Sequence, residues 1–347
     1  MKLQIPENTS ILVARTDAIG DVILTIPITH ALKQLFPKNK IVFLSTSYTK
    51  PILKYVETID EIIDYEEISD FTMQRKREVF QKHNIHTALL VYPTLPVAKL
   101  MYQLKIPYRI GTSHRWYNWL FCNQLVSFSR KNSDLHEAQL NFKLLKPLGI
   151  SRVPELSEIA GMYVFKDIPP LSLPLNQYLE ADKMRVVLHP KSKGSAREWG
   201  MDNYIRLIKN LDLSKFQIII TGTKNELPAL QKIFTECPYV TNLAGQTTLE
   251  ELISLINACD ALIAASTGTL HIASVLGKHA IGIFPPIRPM HPGRWAPIGR
   301  HTHVFCLDKD CSDCRNSPSS CNCIQQISPD KVAELLYSLY FRKFKKG

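Results

Sequence analysis

The sequence predicts an α/β protein built from two Rossmann-like, doubly wound domains facing across a cleft. Three observations carry this expectation. Short apolar runs alternate with stretches of helical period, first between Ser10 and Ser113 and again between Arg185 and Pro286. A proline-rich stretch of little periodicity, "DIPPLSLPLNQYLEADK", separates the two series. At 347 residues, with 45% hydrophobic and 21% charged side chains, the chain can build two cores, and bulk disorder is excluded.

The first domain is assigned to residues 1–166. "ILVA" is a buried parallel strand, "RTDAIGD" a polar loop, and "VILTIPITHALKQLF" a helix that ends before Pro37. "KIVFLSTS" closes this βαβ unit, and "IDEIIDY", "TALLVYP" and "RIGTS" add strands. Residues 167–183 form the linker. The second domain, 184–327, alternates strands "RVVLHP", "FQIIITG", "VTNLAG", "ALIAAS" and "AIGIFPP" with helices "MDNYIRLIKNL", "NELPALQKIFTE", "TLEELISLINAC" and "GTLHIASVLG". A last helix and basic-aromatic tail occupy 328–347. Ligands of such sheets bind beyond the carboxyl ends of the strands, so the loops there are the places to look for chemistry.

Four loops stand out. In "RTDAIGDVILTIP", Asp21 follows Gly20 where strand becomes helix. It either caps the helix or faces the cleft as a general base, with Asp17 a second candidate. In "HPKSKGSAREWG", Lys191, Lys193 and Arg197 lie between strand and helix; they either meet a diphosphate or form a solvated basic loop. "TGTKNE" offers Glu226, either a ribose ligand or an acid suited to a helix N-terminus. "AASTGTLHIASVLG" joins Thr267, Gly268 and Thr269 to first-turn N–H groups, a phosphate cradle, with His271 in the first turn. For the hydroxyls the alternative is plain capping, and for His271 a core histidine. No G-x-G-x-x-G fingerprint is present.

Taken in order, these four loops resemble the heptosyltransferases of glycosyltransferase family 9 over most of the chain. The resemblance implies a GT-B fold with the donor in the second domain. It also implies inverting transfer of heptose from ADP-heptose to the inner core of lipopolysaccharide, on Kdo or heptose, with no metal needed for the chemistry. Asp21 matches the family's catalytic aspartate, and Arg197 a basic position that neutralises the leaving diphosphate. Glu226 matches a ribose-binding acid, and Thr247, in "AGQTTLEEL", a place where backbone meets adenine. Thr267, Gly268 and His271 match the phosphate loop. One departure concerns the donor sugar: the best-studied members carry Asp-Thr-Gly where this chain has Ser266-Thr267-Gly268, and a serine lacks the charge and second oxygen of a carboxylate.

Lys+Arg number 42 against 31 Asp+Glu, a net charge of +11 that favours an anionic partner. "SHRWYNWLFCNQLVSFSRK" mixes Arg115, Arg130 and Lys131 with Trp116, Trp119 and Phe121. It reads either as an aromatic core with a solvated charged face, the preferred reading, or as a surface for an anionic membrane. The tail, with Arg342, Lys343, Lys345 and Lys346, is expected to be exposed. Basic residues are dispersed and no nucleic-acid motif occurs, so nucleic acid is not an expected partner. A different nucleotide-sugar, an epimerase or a binder without turnover are the alternatives within the same fold.

Of eight cysteines, Cys122, Cys237 and Cys259 read as small core residues. Cys306, Cys311, Cys314, Cys321 and Cys323 cluster with C-x-x-C and C-x-C spacing, which suits either a structural zinc or a reduced loop. The N-terminus has no signal-peptide shape and no apolar run would span a bilayer. A cytoplasmic monomer is expected, peripheral on the inner face of a Gram-negative inner membrane.

Overall fold

The computed structural model describes residues 2–130, 133–194, 196–287, 290–308 and 322–344. The chain divides into two compact units, Met1–Asp167 and Ile168–Gly347. The first holds a six-stranded sheet of β1 (Ser10–Ala14), β2 (Lys40–Ser45), β3 (Glu61–Asp64), β4 (Ile85–Leu90), β5 (Tyr108–Thr112) and β6 (Gln124–Val126). Its spatial order is β3-β2-β1-β4-β5-β6, and every pairing is parallel. All five residues of β1 are buried, because helices cover both faces of a parallel sheet.

The second unit repeats the plan with β7 (Met184–His189), β8 (Phe216–Ile220), β9 (Thr241–Asn242), β10 (Ala261–Ala265), β11 (His279–Ile283) and β12 (Thr302–Phe305). The order is β12-β11-β10-β7-β8-β9, again parallel throughout. Its core gathers Val186 and Leu188 of β7, Ile218 and Ile220 of β8 and Ile263 of β10 with Leu207 and Ile208 of the helix Met201–Lys209. Both sheets thus belong to the predicted α/β class.

Several local expectations change. The first helix begins at Ile19, so Gly20 and Asp21 are helical rather than part of a loop. It stops at Ile23 and a second helix starts at Ile26, because Pro27 has no N–H to give the Ile23 carbonyl. β6 and β12 escaped the sequence reading: both are short edge strands, and "THVF" is too polar to register as a buried run. The proline-rich stretch contains a helical turn, Leu173–Asn176; Leu171 and Leu175 are buried, and the Gln217 amide of β8 donates to the Tyr178 carbonyl.

The C-terminal helix Pro329–Phe344 is half core. Val332, Leu336 and Leu339 are buried, and the rings of Tyr337 and Tyr340 lie 5.1 and 5.4 Å from that of Phe216. Lys343 pairs with Asp260 at 2.6 Å, while Lys345 and Lys346 lie outside the described residues. Trp199 ties this C-terminal region to the loop after β7. It is fully buried, donates its Nε1–H to the Ile327 carbonyl at 2.9 Å and meets Tyr204 edge-on at 5.0 Å. Truncating Trp199 to alanine is expected to cost about 3–5 kcal/mol of stability, seen as a lower urea midpoint; a loss under about 1 kcal/mol would contradict its core role.

Candidate active site

In the first unit the strand order reverses between β1 and β4, the position where open α/β sheets bind ligands. Arg15, the first residue past β1, lies there with 2% of its surface exposed. Its guanidinium grips Asp17 in bidentate fashion, Nε to Oδ1 at 2.7 Å and Nη2 to Oδ2 at 2.9 Å. Nη2 also donates to Asp21, and Nη1 reaches Glu137 Oε1 at 3.3 Å. The Tyr92 ring, just beyond β4, lies 5.5 Å from Cζ.

Glu137, 1% exposed, is the first residue of the helix Glu137–Phe142. Arg130 Nε donates to it at 2.9 Å, and Arg130 Nη2 donates to the Val91 carbonyl and to Asn141 Oδ1. Asn141 in turn donates to the Leu24 carbonyl at 3.0 Å, locking this arrangement to the end of the first helix. Among the described residues three carboxylates thus meet two guanidiniums. Burial favours the neutral carboxyl of Asp21, and Asp17 and Glu137 repel its charge; Arg15 and Arg130 oppose this only in part, so its pKa rises to about 6. Burial likewise disfavours the Arg15 cation, but Asp17, Asp21 and Glu137 outweigh it and hold its pKa above the ordinary value.

Asp21 is therefore not a helix cap. Ala18 occupies the N-cap position, and the Asp21 side chain is spent on Arg15. Gly20 lies in the same turn, its carbonyl accepting from the Leu24 N–H at 2.9 Å. Arg130, read from sequence as a surface cation, belongs to this ion network. Glu137 was missed altogether: it stands 122 residues from Arg15 and no local pattern marks it.

In the second unit the order reverses between β7 and β10, and the sequence-selected loops leave the carboxyl ends of β7, β8, β9 and β10. His189 closes β7 and shares a 2.9 Å hydrogen bond with Thr221, just past β8. Burial, with help from Lys193 and against Glu226, pushes the His189 pKa down to about 4, so the ring is neutral at physiological pH. Lys191 is paired with Glu198, which also accepts from the Ser192 N–H; this lysine braces its own loop. Lys193 is exposed and left-handed at φ +50°, ahead of Gly194 at +79°. Arg197 is half-buried, and its Nε has no hydrogen-bond partner among the described residues.

Glu226 completes a capping box, accepting from the Thr223 N–H at 2.7 Å and its hydroxyl at 2.9 Å. Burial works against this carboxylate, but those bonds, with His189 and the Lys193 backbone, lower its pKa below the ordinary value. The loop after β9 docks beside it through Gly245, whose N–H donates to the Gly222 carbonyl at 2.8 Å. Gly245 has φ +71°, and a Cβ there would come within 3.0 Å of the Lys224 backbone, so glycine is required. Thr247, half-exposed, follows in that loop.

After β10, Ser266 is half-exposed and Thr267 takes the N-cap position of the helix Gly268–Val275. Its hydroxyl does not cap the helix; it pairs with the Thr269 hydroxyl at 2.9 Å. The N–H groups of Gly268 and Thr269 thus precede the first intrahelical bond with no side-chain cap on them. His271 is buried in the first turn, its carbonyl accepting from Ser274.

Among the described residues no three His, Cys, Asp or Glu side chains converge to hold a metal. Cys306 is half-buried and Cys323 buried, while Cys311, Cys314 and Cys321 lie outside the described residues. No helix among the described residues is long and apolar enough to cross a membrane.

The sequence profile of glycosyltransferase family 9 (heptosyltransferase) matches residues 77–325. Lipopolysaccharide heptosyltransferase 2 of Salmonella typhimurium (strain LT2) is 23% identical, covering 95% of this chain and 98% of that protein. The crystal structure of the family 9 glycosyl transferase from Veillonella parvula superposes with a TM-score of 0.78 at 17% identity, covering 97% and 98% of the two chains. E. coli heptosyltransferase WaaC, solved with ADP, gives 0.70 at 17% identity over 95% and 99%.

Replacing Asp21 with asparagine is expected to stabilise the protein at pH 7 by on the order of 1–2 kcal/mol, since it removes a charge that burial disfavours. The folded carboxyl titrates at about 6, above the unfolded value of about 3.9. The charge penalty is therefore present above pH 6 and is relieved as pH falls towards 4. Urea midpoints of variant and parent should differ at pH 7 and converge near pH 4; an unchanged gap would count against this balance.

Proposed function

The chain belongs to glycosyltransferase family 9, and on that premise we propose that it transfers heptose from ADP-heptose to the lipopolysaccharide inner core with inversion, using Asp21 as general base. The observation that carries the reading is the Asp21 carboxylate at the switch point of the first sheet. It is oriented by Arg15, yet kept basic by burial and then by Asp17 and Glu137. A base with a pKa near 6 is ionised at neutral pH and still accepts a proton from a sugar hydroxyl as that hydroxyl attacks. The acceptor oxygen bonds to the anomeric carbon, the bond from that carbon to the diphosphate oxygen breaks, and the proton stays on Asp21.

The departing diphosphate takes both electrons of the broken bond and needs positive charge around it. Arg197, whose Nε–H has no partner among the described residues, the first-turn N–H groups of Gly268 and Thr269, and the hydroxyls of Thr267 and Thr269 suit that task. Lys193 can add charge at the rim; Lys191 acts through Glu198 by holding the loop. Glu226 and Thr247 fit a ribose and an adenine edge, a role in keeping with the ADP held by the E. coli relative. Ser266, a neutral hydroxyl, is the position at which the sugar of the donor is selected. An acceptor anchored in lipid would bring the chain to the cytoplasmic face of a Gram-negative inner membrane.

Thermal-shift titration with ADP-heptose, other ADP-sugars, UDP-sugars and GDP-sugars tests the donor. ADP-heptose should give the largest shift, and a larger response to a UDP- or GDP-sugar would overturn the adenine assignment. Asp21→Ala should lower transfer by about 10²–10⁴-fold while keeping the donor shift; full turnover in that variant removes Asp21 as the base. In the parent, the rate should rise with pH through about 6 and then level, as the carboxylate forms.

A further inference from the structure

Residues 79–133 contain no aspartate or glutamate. From 31 acids in 347 residues about five would be expected in a stretch of that length. The same 55 residues carry Lys82, Lys99, Lys105, Arg109, Arg115, Arg130 and Lys131, so seven of the chain's eleven surplus charges lie here. Arg130 is used internally, by Glu137. Lys99, Lys105 and Arg115 are exposed, and the guanidinium of Arg109 donates to the Phe121 and Ile106 carbonyls, neutral acceptors.

Between β5 and β6 this segment projects Trp116, Trp119 and Leu120 into solvent, at 68, 65 and 63% exposure. The preferred sequence reading made these tryptophans core; the structure puts them outside. The tip is nevertheless firmly built. Asn118 is fully buried and donates to the Thr112 carbonyl at 2.8 Å, the Tyr117 hydroxyl donates to the Pro93 carbonyl at 2.5 Å, and the Trp119 indole donates to the Ser113 carbonyl at 2.9 Å. Cys122 is buried below, and a Cβ on Gly111 would collide with both Cys122 and Asn118. Tyr102, half-exposed on the neighbouring helix Leu95–Gln103, extends the apolar surface through its ring contact with Phe121 at 5.6 Å, and Arg109 lies over it.

Three large apolar side chains on a pre-ordered tip, beside the exposed Arg115 and within a segment that carries cations and no acids, match one environment well. Indole rings favour the boundary between headgroups and acyl chains, and lysine and arginine favour anionic headgroups. The tip follows the carboxyl end of β5, the same edge of the sheet from which Arg15 and Asp21 emerge after β1. We propose that Trp116, Trp119 and Leu120 form a wedge that inserts into an anionic bilayer and seats this edge of the first unit on the membrane surface. The proposal names the residues of a membrane contact and stands on exposure and charge, not on the donor or the base assigned above.

Co-sedimentation with vesicles tests it. The parent protein should bind vesicles of phosphatidylcholine containing about one third phosphatidylglycerol, bind pure phosphatidylcholine far less, and weaken as salt is raised. Combined Trp116→Ser, Trp119→Ser and Leu120→Ser should reduce partition by about tenfold or more, with the melting temperature and donor-induced thermal shift retained. In parallel, lipids brominated on their acyl chains should quench the parent's tryptophan emission. Trp116→Phe with Trp119→Phe should remove most of that quenching, since of the two tryptophans that remain Trp199 is buried in the core and Trp295 is half-buried in the second unit. Equal sedimentation of the triple variant, no binding of the parent to anionic vesicles, or tighter binding to an oligonucleotide through the same residues would each overturn the wedge. Loss of vesicle binding with an intact donor shift keeps this result separate from the fate of the proposed activity.

Discussion

Because every strand pairing in both sheets is parallel, each sheet delivers the loops that follow its strands to one edge. A parallel strand cannot be reached by a tight hairpin, so each connection crosses a face as a helix and buries it. Both faces are then apolar, as in β1 and β10, and polar chemistry is confined to the rim. Where the strand order reverses, neighbouring loops diverge and leave a crevice. Arg15 lies at that point in the first unit and His189 in the second.

Electrostatics at the two points follow opposite strategies. In the first unit, burial, with Asp17 and Glu137 close by, outweighs Arg15 and Arg130 and holds Asp21 at a pKa near 6. A carboxylate left in water would cost less stability and be less basic, the usual conflict between stability and function. In the second unit, the side-chain charges nearest the strand ends are absorbed locally: Glu198 holds Lys191, Thr223 holds Glu226, and burial keeps His189 neutral. Among the described residues, Arg197 Nε and the first N–H groups of the helix Gly268–Val275 are donors left unspent near those strand ends.

The basic residues of the chain are dispersed, but the acidic ones are not. Residues 79–133, which run from the end of one helix through β4, β5 and β6, hold no acid at all. The rim that carries Asp21 and the aromatic tip share one sheet edge, so a single scaffold holds a carboxylate cluster and an exposed apolar surface.

The alternation of short apolar runs with helical periods by itself determined the α/β class, two sheets and ten of the twelve strands, because buried parallel strands and amphipathic helices leave distinct periods in the sequence. It also selected the loops after β1, β7, β8 and β10, since glycine, hydroxyl and charged residues cluster there against an apolar background, while Thr247 after β9 was marked only by the family resemblance. It placed Asp21 one step too early, in a loop, because a helix start as short as Ile19–Ile23 carries too few residues to show a period. What Asp21 pairs with, how basic it is, that Lys191 is spent on Glu198, that Glu137 and Arg130 belong beside Arg15, and that Trp116 and Trp119 face solvent were decided only by the tertiary structure. Each depends on residues far apart in the chain or on which side of a turn faces water, and local sequence carries no record of either.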